Sequence, residues 1–436
     1  MLQSPHGYVW RLISQEGAAI VVVDARPSHD RRSTVSLFAR LRTAEGQADP
    51  FPYYARLRAM GPVTPAPWGN VLVTGFDLCD QILRSRDWLE PDKRWRDQQG
   101  AGTRWNAPSS QEMSNTLPAL NPPEHTRIRR AAGTFGRKTL ERIGRTVGRT
   151  TDRLLLSLTE QLRDGAADFV ATVSEELPVA TIGDWLGVPA ADWPRLRELT
   201  HEQVFTQELL PTASQLARSD AATAELRAYF MDLVRRRREQ PGDDPVSLWI
   251  HTFDTLEPDR ERADESVYFL ALFVLLAALE TTSTLLSTMA LRLLEQPLRW
   301  DLLAADPTLV PAFVEETLRH DPPTHVISRV AAHDTVVGDV EVAKDDMVHL
   351  MVGAAHRDPA RHPDPDRFDP ERARSDHLAF SNGIHYCLGA PLARLEAQTL
   401  LHHMISRLPR LTLAQRPTWE PRVAFRRLSN LDVALA

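Results

Sequence analysis

From residue 266 to residue 291 the only charged side chain is Glu280. A stretch this long and apolar has two homes, a membrane span or a helix buried on every side. A span would carry Glu280 and the run Thr281, Thr282, Ser283, Thr284 near mid-bilayer, where each polar group costs free energy. The expectation is therefore a core helix of a large globular protein, with a polar patch at its middle that needs a chemical reason.

Composition agrees with that choice. With 436 residues, 42% hydrophobic and 25% charged, the chain has room for one large domain or two modest ones. A formal charge of -7 leaves no basic excess to meet a nucleic-acid backbone or an anionic membrane, so neither is an expected partner. The only cysteines, Cys79 and Cys387, lie far apart in unlike segments, which argues against a disulfide framework and for a reducing cytoplasm. The apolar run Ala18–Val23 is too short for a signal sequence and is bracketed by Glu16 and Asp24, so no export signal is expected.

Residues 1–35 carry no motif and are read as an N-terminal extension of unassigned role, with residues 18–23 a candidate strand. Residues 36–436 are read as one domain, mainly α with small β-sheets. Amphipathic helical pattern is clear at residues 150–162 and 222–237. The β-branched runs at 71–74 and 336–342 predict strands. The charge run followed by Gln240, Pro241 and Gly242 predicts a surface connector over 235–244, and Pro359, Pro363, Pro365 and Pro370 predict a long irregular loop.

The segment Phe380-Ser381-Asn382-Gly383-Ile384-His385-Tyr386-Cys387-Leu388-Gly389-Ala390-Pro391-Leu392-Ala393-Arg394 concentrates the chemistry. Gly383 and Gly389 bracket the cysteine and let the backbone turn and approach a bound group. A helix is predicted to follow, and its positive end and amide hydrogens favour an ionised Cys387 able to bind a metal. A lone cysteine is more often a small buried hydrophobe. Here the fixed offsets of Phe380, Gly383, His385, Cys387, Gly389, Leu392 and Ala393 decide otherwise, because together they resemble the haem-binding loop of the cytochrome P450 family. One departure is that the family usually has Gly where this chain has Ser381.

Three further segments resemble that family. In Asn121-Pro122-Pro123-Glu124-His125-Thr126-Arg127-Ile128-Arg129-Arg130, His125 and Arg129 share a helix face. The resemblance implies that both reach the haem propionates, with Arg329 a third contact. Glu316 and Arg319 form the expected Glu-x-x-Arg pair, implied to be buried and structural. Its spacing alone is poor evidence, since Glu124/Arg127, Glu160/Arg163, Glu257/Arg260 and Glu371/Arg374 repeat it. Ala277-Ala278-Leu279-Glu280-Thr281-Thr282 resembles the stretch where an acid and a threonine interrupt the helix over the haem, with Ala278 where Gly is usual. An acid beside a hydroxyl can pass protons from solvent into an apolar pocket, and the Thr281 hydroxyl can also bond the Ala277 carbonyl one turn back. A kink stabilised by threonines is the bland alternative.

The resemblance runs from about residue 36 to the C-terminus. It implies a triangular helical prism around buried haem b, with Cys387 as iron ligand and Phe380, Gly383, His385 and Gly389 shaping the site. Glu280 and Thr281 are implied to be catalytic. It also implies the soluble bacterial type, fed by a ferredoxin and ferredoxin reductase, with Arg127, Arg130, Arg137, Lys138 and Arg394 near the thiolate side as a docking patch for an acidic carrier. Pocket walls are expected from residues 88–117, 203–214, Ala277 and 324–327. The leading activity is O₂-dependent hydroxylation or epoxidation of a small organic molecule, a natural-product intermediate by analogy. Oxidative coupling, cyclisation or desaturation, direct use of peroxide, and a non-catalytic haem sensor stay open.

Overall fold

The stretch around Glu280 is the middle of one helix, Arg260–Leu294, that runs unbroken through the protein. Asp259 caps it by accepting the amides of Glu261 and Arg262, satisfying donors a helix start leaves free. Its apolar side chains, among them Tyr268, Leu272, Leu275, Leu286 and Met289, are buried in the largest core. Among the described residues it is the one helix long and apolar enough to cross a membrane, and 72% of its apolar window is buried inside the protein. The expected interruption at Glu280 is absent. Thr281 and Thr284 return their hydroxyls to carbonyls one turn back, at Ala277 (2.7 Å) and Glu280 (2.9 Å), so the polar residues are absorbed by the helix instead of breaking it.

The structure is a computed structural model, and it describes residues 10–15, 18–23, 29–66, 68–100, 102–133 and 135–436. The fold is mainly helical, with Glu176–Leu186, Pro245–Leu256, Ala213–Glu239 and Ala390–Arg407 packed on the central helix and Arg137–Gln161 packed in turn on Glu176–Leu186 and Ala390–Arg407. Ala213–Glu239 opens with a capping box between Thr212 and Gln215 and continues through the arginine run to Glu239. The connector expected over 235–244 therefore starts only after that residue.

At one edge lies a five-stranded sheet in the order Val63–Pro65, Val71–Val73, Met347–Leu350, Ile327–Ala331, Trp88–Leu89. Val71–Val73 pairs parallel to Met347–Leu350, and the other pairs are antiparallel. The strand expected over 336–342 is two strands, Thr335–Val337 and Val340–Val342, folded on each other. Gly338 at φ 58 makes the turn, a backbone state glycine adopts without strain. Residues 18–23, open in the sequence between a strand and a plain extension, form a strand that pairs antiparallel with Trp10–Gln15. The first helix, His29–Leu41, crosses the boundary expected at residue 35, with Thr34, Leu37, Phe38 and Leu41 buried.

Glu316 and Arg319 are both fully buried and joined at 2.7 and 2.8 Å. Arg319 also donates to the carbonyls of His356, Pro365 and Arg367, and Glu316 accepts from the Asp369 amide and Ser375 hydroxyl. The pair thus ties down the irregular proline-rich segment that leads to the Cys387 loop, and its remaining polar atoms are satisfied.

Candidate functional site

The Cys387 loop is set by local backbone demands. Ser381 sits at φ 57 and Gly383 at φ 65. A Cβ on Gly383 would stand 2.5 Å from the Leu83 carbonyl oxygen, so only glycine fits there. Ser381 keeps the left-handed path usual for glycine and pays for it in strain. Gly389 has an ordinary φ of -85. A Cβ there would meet only the Cys387 sulfur, at 3.9 Å, so this glycine keeps the surroundings of the thiol open and is not needed for a turn. The Cys387 amide donates to the Phe380 carbonyl at 2.9 Å, closing the loop just before Ala390–Arg407. Phe380 is buried, and the Arg394 guanidinium lies 4.5 Å over its ring.

Burial pushes the Cys387 thiol up, while the Gly389 and Ala390 amides and the Arg129 and Arg394 charges pull it down without prevailing. The amide and helix-end stabilisation expected from the sequence is present, yet it is outweighed by desolvation in the protein alone. A metal cation bound at the sulfur would supply what is missing, since a coordinating thiol is deprotonated outright.

Beside the cysteine the structure gathers four side chains from three regions. The rings of His125 and His385 lie 4.4 Å apart. Arg129 donates to the Tyr386 carbonyl at 2.8 Å. Arg329 reaches the same cluster and is paired with Glu90 at 2.7 Å, while the His385 Nε2 is 3.9 Å from that carboxylate. Burial, with the Arg329 charge and His125 and Arg129, lowers His385 to about 3, and burial with Arg129 lowers His125. Burial raises Glu90 to about 7 in spite of Arg329. The His125 Nε2 is buried with no hydrogen-bond partner among the described residues. An orphaned ring nitrogen and two guanidiniums with donors to spare suit a ligand carrying carboxylates, as haem propionates are. These residues therefore fit the group.

At the middle of the central helix, Ala277 is exposed and Ala278 and Thr281 are half-buried, whereas Leu275, Leu276, Leu279 and Glu280 beside them are buried. Glu280 is 2% exposed and holds a dense network. It binds Arg422 through one oxygen, and Arg427 (2.9 Å) and His201 (3.1 Å) through the other. Arg427 also pairs with Glu175. Burial alone would raise the Glu280 carboxyl, but Arg422, Arg427 and His201 hold it well below the usual range. It is thus a fixed carboxylate with no proton to give at neutral pH. His201, Arg422, Arg427 and Glu175 had no mark in the sequence, since no motif links them to Glu280.

The basic patch is largely neutralised. Arg127 pairs with Glu124, Arg137 with Glu141 and Arg394 with Glu315, while Arg130 and Lys138 are exposed. Cys79 is buried, with its sulfur 3.5 Å from the Val73 carbonyl, and belongs to the core.

Comparison with known proteins agrees with this geometry. The sequence matches the profile of the family Cytochrome P450 over residues 201–420. It is 33% identical to the cytochrome P450 monooxygenase PikC of Streptomyces venezuelae, covering 88% of this chain and 91% of the relative. It is 31% identical to 6-deoxyerythronolide B hydroxylase of Saccharopolyspora erythraea, covering 88% and 95%. The solved structure of P450BioI in complex with an acyl carrier protein ligated with hexadec-9Z-enoic acid superposes with a TM-score of 0.81 at 28% identity, covering 90% of this chain and 100% of that one. With relatives above 30% identity along nearly the whole length and a family match over residues 201–420, the chain belongs to the cytochrome P450 family.

Proposed function

We propose that the chain is a haem b monooxygenase that takes electrons from a ferredoxin and its reductase and hydroxylates or epoxidises a small organic molecule, a natural-product intermediate. The observation that carries this reading is the Cys387 thiol, held by the Gly389 and Ala390 amides and set beside the cluster that contains the orphaned His125 nitrogen. PikC and 6-deoxyerythronolide B hydroxylase support oxygen insertion and a secondary-metabolic role. We read residues 36–436 as the catalytic domain, acting in the cytoplasm.

When bound, haem supplies O₂ activation at iron, which a thiolate ligand biases towards O–O cleavage. In this reading Cys387 is the iron ligand. His125, Arg129, Arg329 and His385 hold the propionates by charge-assisted hydrogen bonds. Phe380, Gly383 and Gly389 shape the loop, with Phe380 covering it and Gly389 leaving the sulfur clear. Thr281 holds a proton at Oγ1 and presents it once its hydroxyl rotates from the Ala277 carbonyl. Glu280 contributes a proton path only when released from an arginine, since the pairs otherwise keep it ionised.

The test is reconstitution with NADPH, a bacterial ferredoxin and its reductase. NADPH and O₂ consumption coupled to an oxidised product is the expected result. Haem binding without turnover under any substrate screened would replace this reading with a sensor.

A further inference from the structure

Resting on the monooxygenase reading, we infer that Arg104 binds the carboxylate of an anionic substrate, making it a specificity-determining residue in the roof of the pocket. Arg104 lies in the connecting segment ahead of Pro108–Met113, within the part of the chain expected to wall the pocket. Its guanidinium stacks 4.0 Å over the Trp105 ring, which in turn meets Trp95 edge-on at 5.1 Å. One Nη donates to the Glu208 carbonyl. Among the described residues it has no carboxylate partner and no other hydrogen bond.

The nearest acid does not spare an oxygen. Glu208 is buried and accepts the amides of Val423 (2.9 Å), Ala424 (3.1 Å) and Phe425 (3.1 Å). Those bonds join the segment after Trp193–Gln203 to the C-terminal turn, and Thr324 pairs with Phe425 across from it. Arg104 is thus fixed where segments expected to wall the pocket adjoin through Glu208 and Phe425. On its other side His349 is kept neutral. Its two ring nitrogens are engaged by Trp68 (3.1 Å) and Ser328 (2.8 Å), and burial together with the Arg104 charge lowers it to about 3.

A guanidinium is costly to desolvate without a counter-charge. Burial draws Arg104 down to about 10, with the Arg96 charge adding to the effect and Glu208 only partly opposing it. The residue is nonetheless half-buried, and its remaining N–H groups have no hydrogen-bond partner among the described residues. Stacking holds the planar fork in place, and its free donors suit a bidentate carboxylate. The propionate-binding cluster is built from other elements, around His125 and His385, whereas Arg104 is anchored to Glu208 in the roof.

The probes are ω-imidazolyl hexanoic, octanoic, decanoic and dodecanoic acids and their methyl esters, titrated into the holoenzyme at pH 7.5 and read by the Soret shift as imidazole ligates the iron. At the chain length that reaches Arg104, the acid is expected to bind about tenfold tighter than its ester. Arg104→Gln should abolish that preference without changing affinity for free imidazole, and Arg104→Lys should restore part of it. Equal affinity of acid and ester at every length, or an unchanged preference in Arg104→Gln, would overturn the assignment. Should Arg104→Gln not retain haem, the wild-type acid-to-ester ratio and Arg104→Lys decide alone. A reduced holoenzyme whose carbon monoxide spectrum lacks the red-shifted band of thiolate ligation would instead count against the haem-thiolate reading itself.

Discussion

Glu280 in the central helix and Arg427 near the C-terminus are joined at 2.9 Å although 147 residues separate them. The acid of the oxygen-side patch is therefore a structural tie as well. It links the core helix to the C-terminal segment through Arg422 and Arg427 and to the Trp193–Gln203 helix through His201. Such a network is satisfied only as a unit, so removal of the acid strands the buried Arg422 guanidinium and leaves Arg427 with Glu175 alone.

Glu280→Gln is expected to destabilise the protein by about 3–5 kcal/mol near pH 7. The carboxyl is held below its ordinary value of about 4.3 in the folded state. Its contribution is thus complete above that value and is lost as pH falls below it. Thermal melts of wild type and variant from pH 7 to pH 2 should show the gap unchanged down to about pH 4.3 and narrowing below it. A constant gap would mean that charge pairing is not the source.

Thr281→Ala removes one hydroxyl bond to Ala277 and should cost about 1 kcal/mol or less in stability. Its larger effect should be on coupling. Under reconstituted turnover, hydrogen peroxide release should rise and product per NADPH should fall by severalfold. Full coupling in the variant would place the proton path elsewhere.

Glu396 is buried on the helix after Cys387, and burial raises it to about 8, with Thr181 opposing weakly. The folded state then keeps a proton that the unfolded chain loses above about pH 4.3. Stability should fall as pH rises from there towards 8, a penalty on the order of 3 kcal/mol at pH 7. Glu396→Gln should remove it. Urea unfolding at pH 5 and pH 8 should show the variant gaining on wild type at the higher pH, and parallel behaviour would be the contrary result.

Ser381 combines a left-handed φ with a buried hydroxyl that has no partner among the described residues. Ser381→Gly relieves both, at the expense of a looser unfolded chain, for a net gain of about 1 kcal/mol. A higher melting temperature with unchanged haem content is expected, and a lower one would show that the serine supports the loop.

What could be read in advance was what is contiguous. The Cys387 loop declares itself within fifteen or so positions, roughly one turn of loop and the start of a helix, and the central helix declares itself by its lack of charge. Cross-chain partners did not. His201 and Arg422 stand 79 and 142 residues from Glu280, and ordinary arginines and histidines carry no local sign of whom they will meet. The same holds for Glu90 beside Arg329. The polar patch was expected to interrupt its helix by resemblance to the family's oxygen-side stretch, but here its hydroxyls bond back within an unbroken helix. The run at 336–342 reads as one strand until Gly338 is given its turn.

The most direct test of Cys387 as iron ligand is the spectrum of the purified, reduced protein under carbon monoxide, for wild type and Cys387→Ser. The red-shifted Soret band of thiolate ligation in the wild type, lost in the variant, is the expected result. A wild-type band at the position of a nitrogen-ligated haem, or its survival in Cys387→Ser, would contradict it.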